Sequence, residues 1–499
     1  MFTPPRTLAG WLGSPWLPGS LVLLALGLRL YHLTAWGFWV DEIFTLKAVH
    51  YLRTVDAGHF FADLHGPLYN GLAALLAPVL PGEWLRLLSA LLGAAAVWPL
   101  HAWARRVAGA GTAALAAALA AISPFALWYG QELRNYSLVL LLAPACLLAA
   151  EGWRGTGRPG RGAFLGLVLT AWLGTLANLS FLLFLAGLGV ALVIGAPGRR
   201  WRLLAWLGAA AGLLVLLCLP WLISFVAQMA PQRLVTSAPA WDAAPLRGET
   251  TFTPLALPYT IFTLVAGFSY GPSLEELHRG AVAAVGAHMP ALALASLAIG
   301  LPLLLGLWTL RGRRLEFAAL IVVTLALASL LAVKNFKVYN VRYVSMVWPL
   351  LLVLLAQGLL QIRWRWLRWP AILLLAGVLG TGLGQHYWNP VYAKEDLRGA
   401  ARHLSAVGDE LPVLVAVVGE PFLHYYQGRA RTAMLWPGMG PAQIRGKLEQ
   451  LGFPERLRLV SARDWEWGSE EWLLANLPGY APADCATLQG VRIYTLEKR

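Results

Sequence analysis

Long apolar runs broken by short polar segments set the pattern of the whole chain. Runs long enough to cross a bilayer, about 20 residues each, fall near 18–35, 86–104, 108–127, 134–151, 163–179, 181–197, 203–224, 290–310, 316–334, 342–361 and 369–387. The pattern predicts an α-helical integral membrane protein with about eleven transmembrane helices. The breaks at 105–107, 152–162, 198–202, 311–315 and 362–368 each carry two or three arginines. Basic breaks at every second turn orient the chain by the positive-inside rule, with the N-terminus inside and the C-terminal tail outside.

Three outer segments are too long to be turns. The first, 36–85, contains FWVDEIFTLKAVHYL, where Ile43, Phe44, Leu46, Val49 and Leu52 recur at roughly helical spacing, and then HGPLYNGLAALLAPVL. Both read as helices lying in the membrane interface. The second, 225–289, includes an apolar stretch around LALPYTIFTLVAGF that can dip into the membrane. The third is the tail, 392–499. There LPVLVAVVG, RLRLVSA and VRIYTLE read as strands, and KEDLRGAARHL, EPFLHYYQG and PAQIRGKLEQL as helices. The expected organisation is a membrane domain over 1–391 and a small α/β domain over 392–499 on the outer face.

Composition excludes a soluble protein: 58% of the 499 residues are hydrophobic and 13% charged, against about 25% charged in typical soluble domains. The formal charge of +14 does not point to nucleic acid, because the excess arginines sit in the inner breaks and the tail is balanced. Cys146 and Cys218 lie inside apolar runs and Cys485 stands alone in the tail, so the soluble part has no internal disulfide. The first apolar run, from Leu21 to Leu33, is broken only by Arg29 and His32 and has no small-residue cleavage site after it. It reads as a retained span and not as a signal peptide.

Asp41 and Glu42 follow the aromatic residues Trp36, Phe38 and Trp39 at the outer edge of the first span. Aromatic residues there are the usual interfacial belt, but anchoring does not require two adjacent carboxylates. The pair is either a solvated helix start favoured by the helix dipole or a base that takes a proton from a nucleophile arriving from outside. A neighbouring carboxylate tends to raise the pKa of one member.

These residues open a series of motifs. Trp39-Val40-Asp41-Glu42 is followed by His65-Gly66-Pro67-Leu68-Tyr69, then Glu83-Trp84-Leu85-Arg86-Leu87-Leu88-Ser89-Ala90. Ser123-Pro124, the run Gln131-Glu132-Leu133-Arg134-Asn135-Tyr136-Ser137-Leu138, and Arg342-Tyr343 with Pro349 come after. In this order, over about residues 18–390, the series resembles the polyprenyl-phosphate-sugar-dependent glycosyltransferases of the protein mannosyltransferase and aminoarabinose transferase type, of class C architecture. Gly66 and Leu88 stand where that family has proline. His65 stands where aminoarabinose transferases have lysine, so a narrow assignment to aminoarabinose is not supported.

The resemblance implies a glycosyltransferase that moves a sugar from a polyprenyl-phosphate donor to a protein, lipid or envelope-glycan acceptor, with inversion. Asp41 is then the base and Glu42 its support. Such a reaction expels a phosphate, so the site must hold negative charge. Arg134 and Arg342 open spans from outside, and Tyr136 and Tyr343 add hydroxyl donors beside them. The alternative for each arginine is a snorkelling anchor. His65 either bonds the phosphate or caps an interfacial helix, and Tyr69 belongs to the same motif. Arg86 either joins the substrate-binding set or pairs with Asp41, Glu42 or Glu83. Lys334 and Lys337 lie just before Arg342, while Tyr270, Glu275, Glu276 and His278 are candidates to meet the acceptor.

His59, Asp63 and His65 are of the type that binds a divalent metal, but they lack a fixed ligand spacing. No Gly-rich phosphate loop marks a nucleotide-sugar site. Membrane lipids are expected partners, and the expected location is a bacterial cell membrane with the site facing outward. The tail adds little to the resemblance and either binds the acceptor or only covers the site; Glu395 within it is expected to matter little. The rival is a transporter or flippase of lipid-linked sugars, which predicts charged or broken helices near the bilayer midplane.

Overall fold

The computed structural model of the protein describes residues 14–54, 66–155, 158–235, 252, 254–334, 339–408, 410–467 and 470–499. All eleven apolar runs lie in helix. Among the described residues, seven helices are by themselves long and apolar enough to cross a membrane, and five shorter apolar helices accompany them. The runs near 86–104 and 108–127 belong to one apolar stretch, Gly82–Ala121. It is interrupted at Gly109, where φ is 85° and ψ is 175°, beside Arg105 and Arg106.

Breaks that the arginine pattern assigns to the inner side meet in space. Arg154 bonds Glu316 at 2.8 Å, Arg313 bonds Glu151 at 2.7 Å, and Arg199 donates to the Gly155 carbonyl at 3.1 Å. Three of the five inner breaks, 152–162, 198–202 and 311–315, therefore share one side through contacts as well as through composition.

The bundle centre is built on close backbone approach. A Cβ placed on Gly306 of helix Met289–Thr309 would lie 2.0 Å from the Leu354 carbonyl oxygen, and one on Gly358 of helix Trp348–Gln361 would lie 1.9 Å from the Pro302 oxygen. Two helices in contact through glycines gain packing that lipid cannot supply, since lipid is as apolar as leucine. The 341–361 segment is accordingly the most enclosed of the spans, with 89% of its apolar window buried.

The first outer segment forms helices Val40–Thr54 and Pro67–Leu76. Gly66, just before the second, has φ of 102°, and a Cβ there would meet the Ala177 carbonyl oxygen at 2.0 Å. The departure from the family's proline at this position thus has a steric reason: only glycine fits both the backbone angle and the gap. In the second outer segment, helix Ala256–Ala266 packs against Pro124–Gly130 and Trp348–Gln361. Helix Leu274–Ala287 follows and opens with a capping box between Ser273 and Glu276.

The tail folds into a five-stranded sheet of order β2-β1-β3-β5-β4. Its strands are β1 (Val413–Ala416), β2 (Thr432–Leu435), β3 (Arg456–Ser461), β4 (Tyr480–Leu488) and β5 (Val491–Lys498). Strand β1 runs parallel to β2 and β3, whereas β5 is antiparallel to β3 and β4. The three strands legible from sequence are the inner ones. The two not anticipated, β2 and β4, are the edges, and β4 carries a register shift at Pro482–Asp484. Edge strands are wetter and tolerate proline, so they lack the apolar run that marks an inner strand. Helices Leu397–Val407, Gly419–Tyr425, Pro441–Gln450 and Glu470–Ala475 accompany the sheet.

The tail is fastened to the outer end of the bundle. The Tyr425 hydroxyl donates to Glu83 at 2.8 Å and accepts from the Phe38 N–H at 2.7 Å. Arg398 bonds Glu83 at 2.9 Å, Lys47 bonds Glu420 at 2.7 Å, and Arg279 bonds Asp464 at 2.6 Å.

The glycine crossing yields a paired prediction. Gly358→Ala should destabilise the bundle by about 1–3 kcal/mol, the usual range for overpacking, whereas Gly300→Ala, with nothing within 4 Å of the added carbon, should be neutral. Thermal unfolding of both variants in the same detergent checks this.

Candidate active site

Helix Val40–Thr54 begins where Glu42 turns back to accept the Trp39 N–H at 3.2 Å, a third-position carboxylate closing the helix start. Its side chain then enters the protein, where Glu42 is 0% exposed. Arg86 meets it with two donors, Nε to Oε1 at 2.7 Å and Nη2 to Oε2 at 2.6 Å. The Leu133 N–H adds a third bond at 2.7 Å. Burial alone would push the Glu42 carboxyl up, but Arg86, Lys394 and these hydrogen bonds outweigh it and hold the carboxyl below its usual range. Arg86 gives its remaining donors to the carbonyls of Leu33, Trp36 and Gly37 at 2.8–3.2 Å.

One residue of α-helix is a turn of about 100°, so with Glu42 drawn inward Asp41 faces elsewhere. Its Oδ2 receives Arg342 Nη1 at 2.7 Å, and both side chains remain about one-fifth exposed, at 21% and 23%. Arg134 holds the same residue from behind: its Nη1 donates to the Asp41 carbonyl at 2.9 Å and to Thr45 Oγ1 at 3.1 Å. Both guanidinium groups lie over the Tyr136 ring, at 6.0 Å for Arg134 and 5.6 Å for Arg342, and Arg342 also lies 5.4 Å from the Tyr343 ring. The Nε atoms of Arg134 and Arg342 are buried without a hydrogen-bond partner among the described residues.

The non-helical link between helices Pro124–Gly130 and Tyr136–Ala150 positions Arg134 and the Leu133 N–H. Gln131 pins it to the first span through the carbonyls of Arg29 and Tyr31, at 3.0 and 2.6 Å. Arg342 sits on a 3-10 turn, Val341–Val347, capped by the Asn340 side chain. Chain separations of 93 and 301 residues, for Arg134 and Arg342, close on Asp41.

The structure thus brings Asp41, Arg134, Tyr136, Arg342 and Tyr343 together and separates them from three other candidates. Glu42 and Arg86 spend their polar atoms on one another and on the backbone. Tyr69 is 0% exposed, with its hydroxyl 2.5 Å from Ser89 Oγ. The raised carboxyl expected of the Asp41–Glu42 pair is not Glu42. A third carboxyl outside that pair, Glu132, 2% exposed, is the one that burial pushes up; Lys394 opposes this, and the charges of Glu42 and Asp41 reinforce it.

His65 lies outside the described residues, as do His59, Asp63 and Lys337. Lys334 is exposed at the end of helix Arg314–Val333. Of the acceptor candidates, Glu275 pairs with Arg279 at 2.9 Å, and Glu276 is committed to its capping box and to His288 at 3.4 Å. The His278 ring lies 2.6 Å from its own helix carbonyl at Leu274, and Tyr270 is buried.

Four contributors were not evident from the sequence. Glu132 bonds Lys394 at 2.9 Å. Lys394 lies over the rings of Trp39 and Trp128, at 5.3 and 5.7 Å, and Arg463 lies 5.7 Å from the other side chain's partner, Trp39. Glu395, expected to be a bystander, pairs with Arg463 at 2.5 Å at the junction of tail and bundle. Burial would raise its carboxyl, but Arg463 holds it below the usual range. The available signals were slight: Glu132 lies within the quoted motif, and Lys394 is the first lysine or arginine after the last span.

No group of three His, Cys, Asp or Glu among the described residues is placed to hold a metal ion. The three carboxylates nearest the centre each face their own cation: Asp41 with Arg342, Glu42 with Arg86, Glu132 with Lys394. That donor set does not fit a divalent ion.

No family model matches the chain, and no curated protein matches it in sequence. Solved structures do match it in shape. ArnT from Cupriavidus metallidurans in the apo state superposes with a TM-score of 0.58 at 14% identity, covering 98% of both chains. The same protein bound to undecaprenyl phosphate gives 0.54 at 15%, covering 95% of this chain and 97% of that one. The Archaeoglobus fulgidus oligosaccharyltransferase AglB, in complex with an inhibitory peptide and a dolichol-phosphate, gives 0.54 at 15%, covering 98% and 74%. The chain has the class C glycosyltransferase fold. In this class C bundle the Asp41 cluster lies at the outer end of the first span, where the tail meets the membrane domain.

The Glu42–Arg86 pair generates a stability prediction. Arg86→Ala leaves a buried carboxylate without its cation and three carbonyls without their guanidinium donor, which should cost about 3–5 kcal/mol and sharply reduce folded protein recovered by size exclusion. The double variant Glu42→Leu/Arg86→Met, which removes both charges, should recover more folded protein than Arg86→Ala alone.

Proposed function

We propose that the protein is a glycosyltransferase that moves a sugar from a polyprenyl-phosphate donor to an acceptor on the outer face of the membrane. The observation that carries this reading is the Asp41–Arg342 ion pair, 2.7 Å long, partly exposed and backed by Arg134. It supports the reading because a carboxylate able to accept a proton stands beside a cation able to bind phosphate.

The chemistry follows from what each group can do. Asp41 accepts the proton of an acceptor hydroxyl or amine as its heteroatom attacks the anomeric carbon. The bond from that carbon to the phosphate oxygen breaks, and its electron pair leaves with the lipid phosphate. Arg342, whose Nε has no hydrogen-bond partner among the described residues, binds the growing negative charge there. Phosphate arriving at Arg342 competes with Asp41 for the guanidinium, so donor binding itself frees the base. One displacement with one base inverts the anomeric centre. Tyr136 and Tyr343 keep the guanidinium in place by stacking.

The solved ArnT and AglB complexes with undecaprenyl phosphate and dolichol-phosphate support a lipid-phosphate donor by their shared fold. A transporter calls for charge along a path at the midplane, whereas the charges described here gather at the outer ends of helices. The location that suits this reading is a bacterial cell membrane with the site facing outward.

The test is release of free polyprenyl phosphate from a panel of polyprenyl-phosphate sugars, with crude envelope extract as acceptor. Asp41→Asn should lower release about 10²–10⁴-fold, the usual contribution of a general base, with folding unchanged. Arg342→Gln should raise KM and lower kcat/KM, since it binds phosphate in both the ground and the transition state. Release from no donor by well-folded protein sinks the reading and sends the question to flux assays.

A further inference from the structure

Three cations come within reach of the Asp41 cluster from outside its own helix besides Arg134: Arg342, Lys394 and Arg463. They differ in how firmly the fold holds them. Arg463 is committed. It sits at φ of 52°, a left-handed backbone that a residue with a side chain adopts only when its surroundings impose it, and its guanidinium makes two bonds to Glu395, at 2.5 and 3.3 Å.

Lys394 is held differently. Its ammonium makes one ion pair, to Glu132 at 2.9 Å, and remains 17% exposed. An ammonium has three donors. The rings of Trp39 and Trp128 flank it, at 5.3 and 5.7 Å, positioning the charge by cation–π attraction without consuming those donors. Its one partner is a poor one: Glu132 lies buried among other carboxylates, which favours the neutral acid, and its Oε2 has no hydrogen-bond partner among the described residues. Trp39 stands two residues before Asp41, so Lys394 rests on the segment that carries the base.

We propose that Lys394, delivered by the link between the last span and the C-terminal domain, is a further ligand for the lipid phosphate, held in reserve by Glu132 until the donor arrives. The proposal rests on the glycosyltransferase reading. It makes the C-terminal domain part of the donor site: the domain anchors the link through Glu395 and Arg463, and the link presents the cation. The donor's phosphodiester carries one negative charge and gains a second as the sugar leaves; at Arg342 it draws Lys394 from a half-committed carboxyl, and Glu132 takes up a proton or keeps its charge with Lys394 shared.

The test uses the full chain in detergent with undecaprenyl phosphate as the probe, its binding measured by ligand-induced thermal shift over a concentration series. Lys394→Gln should weaken binding about tenfold and Lys394→Arg should restore most of it. Glu132→Gln should tighten binding about threefold, a gain that a misfolded variant does not produce. The deciding variant is Lys394→Gln/Glu132→Gln. If Lys394 only neutralises Glu132, the double variant binds like wild type and the proposal is overturned; if Lys394 contacts phosphate, the double variant stays weak. Arg342→Gln separates the two levels. Weakening by Arg342→Gln without any by Lys394→Gln overturns this inference alone, whereas no weakening by either overturns the lipid-phosphate reading as well.

Discussion

The buried pair of Glu42 and Arg86 is the constraint on which the site depends. A carboxylate and a guanidinium with no exposure are stable only when nearly every donor and acceptor is used, and here they are: two bonds between the charges, two backbone N–H groups on the carboxylate, three carbonyls on the guanidinium. This network joins the loop after the first span, the start of the Gly82–Ala121 stretch and the link before Arg134. Once Glu42 is drawn inward, helical geometry turns Asp41 toward Arg342. In the proposed mechanism the base is aimed by its buried neighbour, Glu42.

The charges around Asp41 form pairs of graded commitment. Glu42 and Arg86 are sealed from solvent. Arg463 and Glu395 are locked at the domain junction by two bonds and a constrained backbone. Asp41 with Arg342 and Glu132 with Lys394 are looser: the two cations remain 23% and 17% exposed, with donor capacity left over. Electrostatic strength and exchangeability trade against each other, so the looser pairs are the ones an incoming anion can rearrange. The same distribution leaves no carboxylate cluster for a metal ion among the described residues.

The membrane helices were legible because hydropathy is local: a span announces itself within some 20 residues. The inner strands of the tail were legible for the same reason, and the edge strands were not, because half of each faces water or bends around Pro482. Asp41, Arg134, Tyr136, Arg342 and Tyr343 could be picked out as a set through ordered motifs. What those motifs did not carry was direction. Nothing in the adjacency of Asp41 and Glu42 tells which carboxylate turns inward, since that is decided by Arg86 and the Leu133 N–H, 44 and 91 residues away. The contacts of the tail were not legible for a related reason: Lys394 and Arg463 meet Trp39, some 350 residues earlier or more.

The distance along the chain between Asp41 and Arg342 also bears on how the protein is made. Their contact joins residues 301 positions apart. At roughly 5–20 residues per second, that separation takes roughly 15–60 s of synthesis. The carboxylate leaves the ribosome with the first span and waits at the membrane lip while the later spans are inserted. Lys394 and Arg463 are made later still. A nascent chain, or one whose translation stops early, therefore carries Asp41 and Arg134 without Arg342, Lys394 and Arg463, and the cluster is complete only at the end of biogenesis.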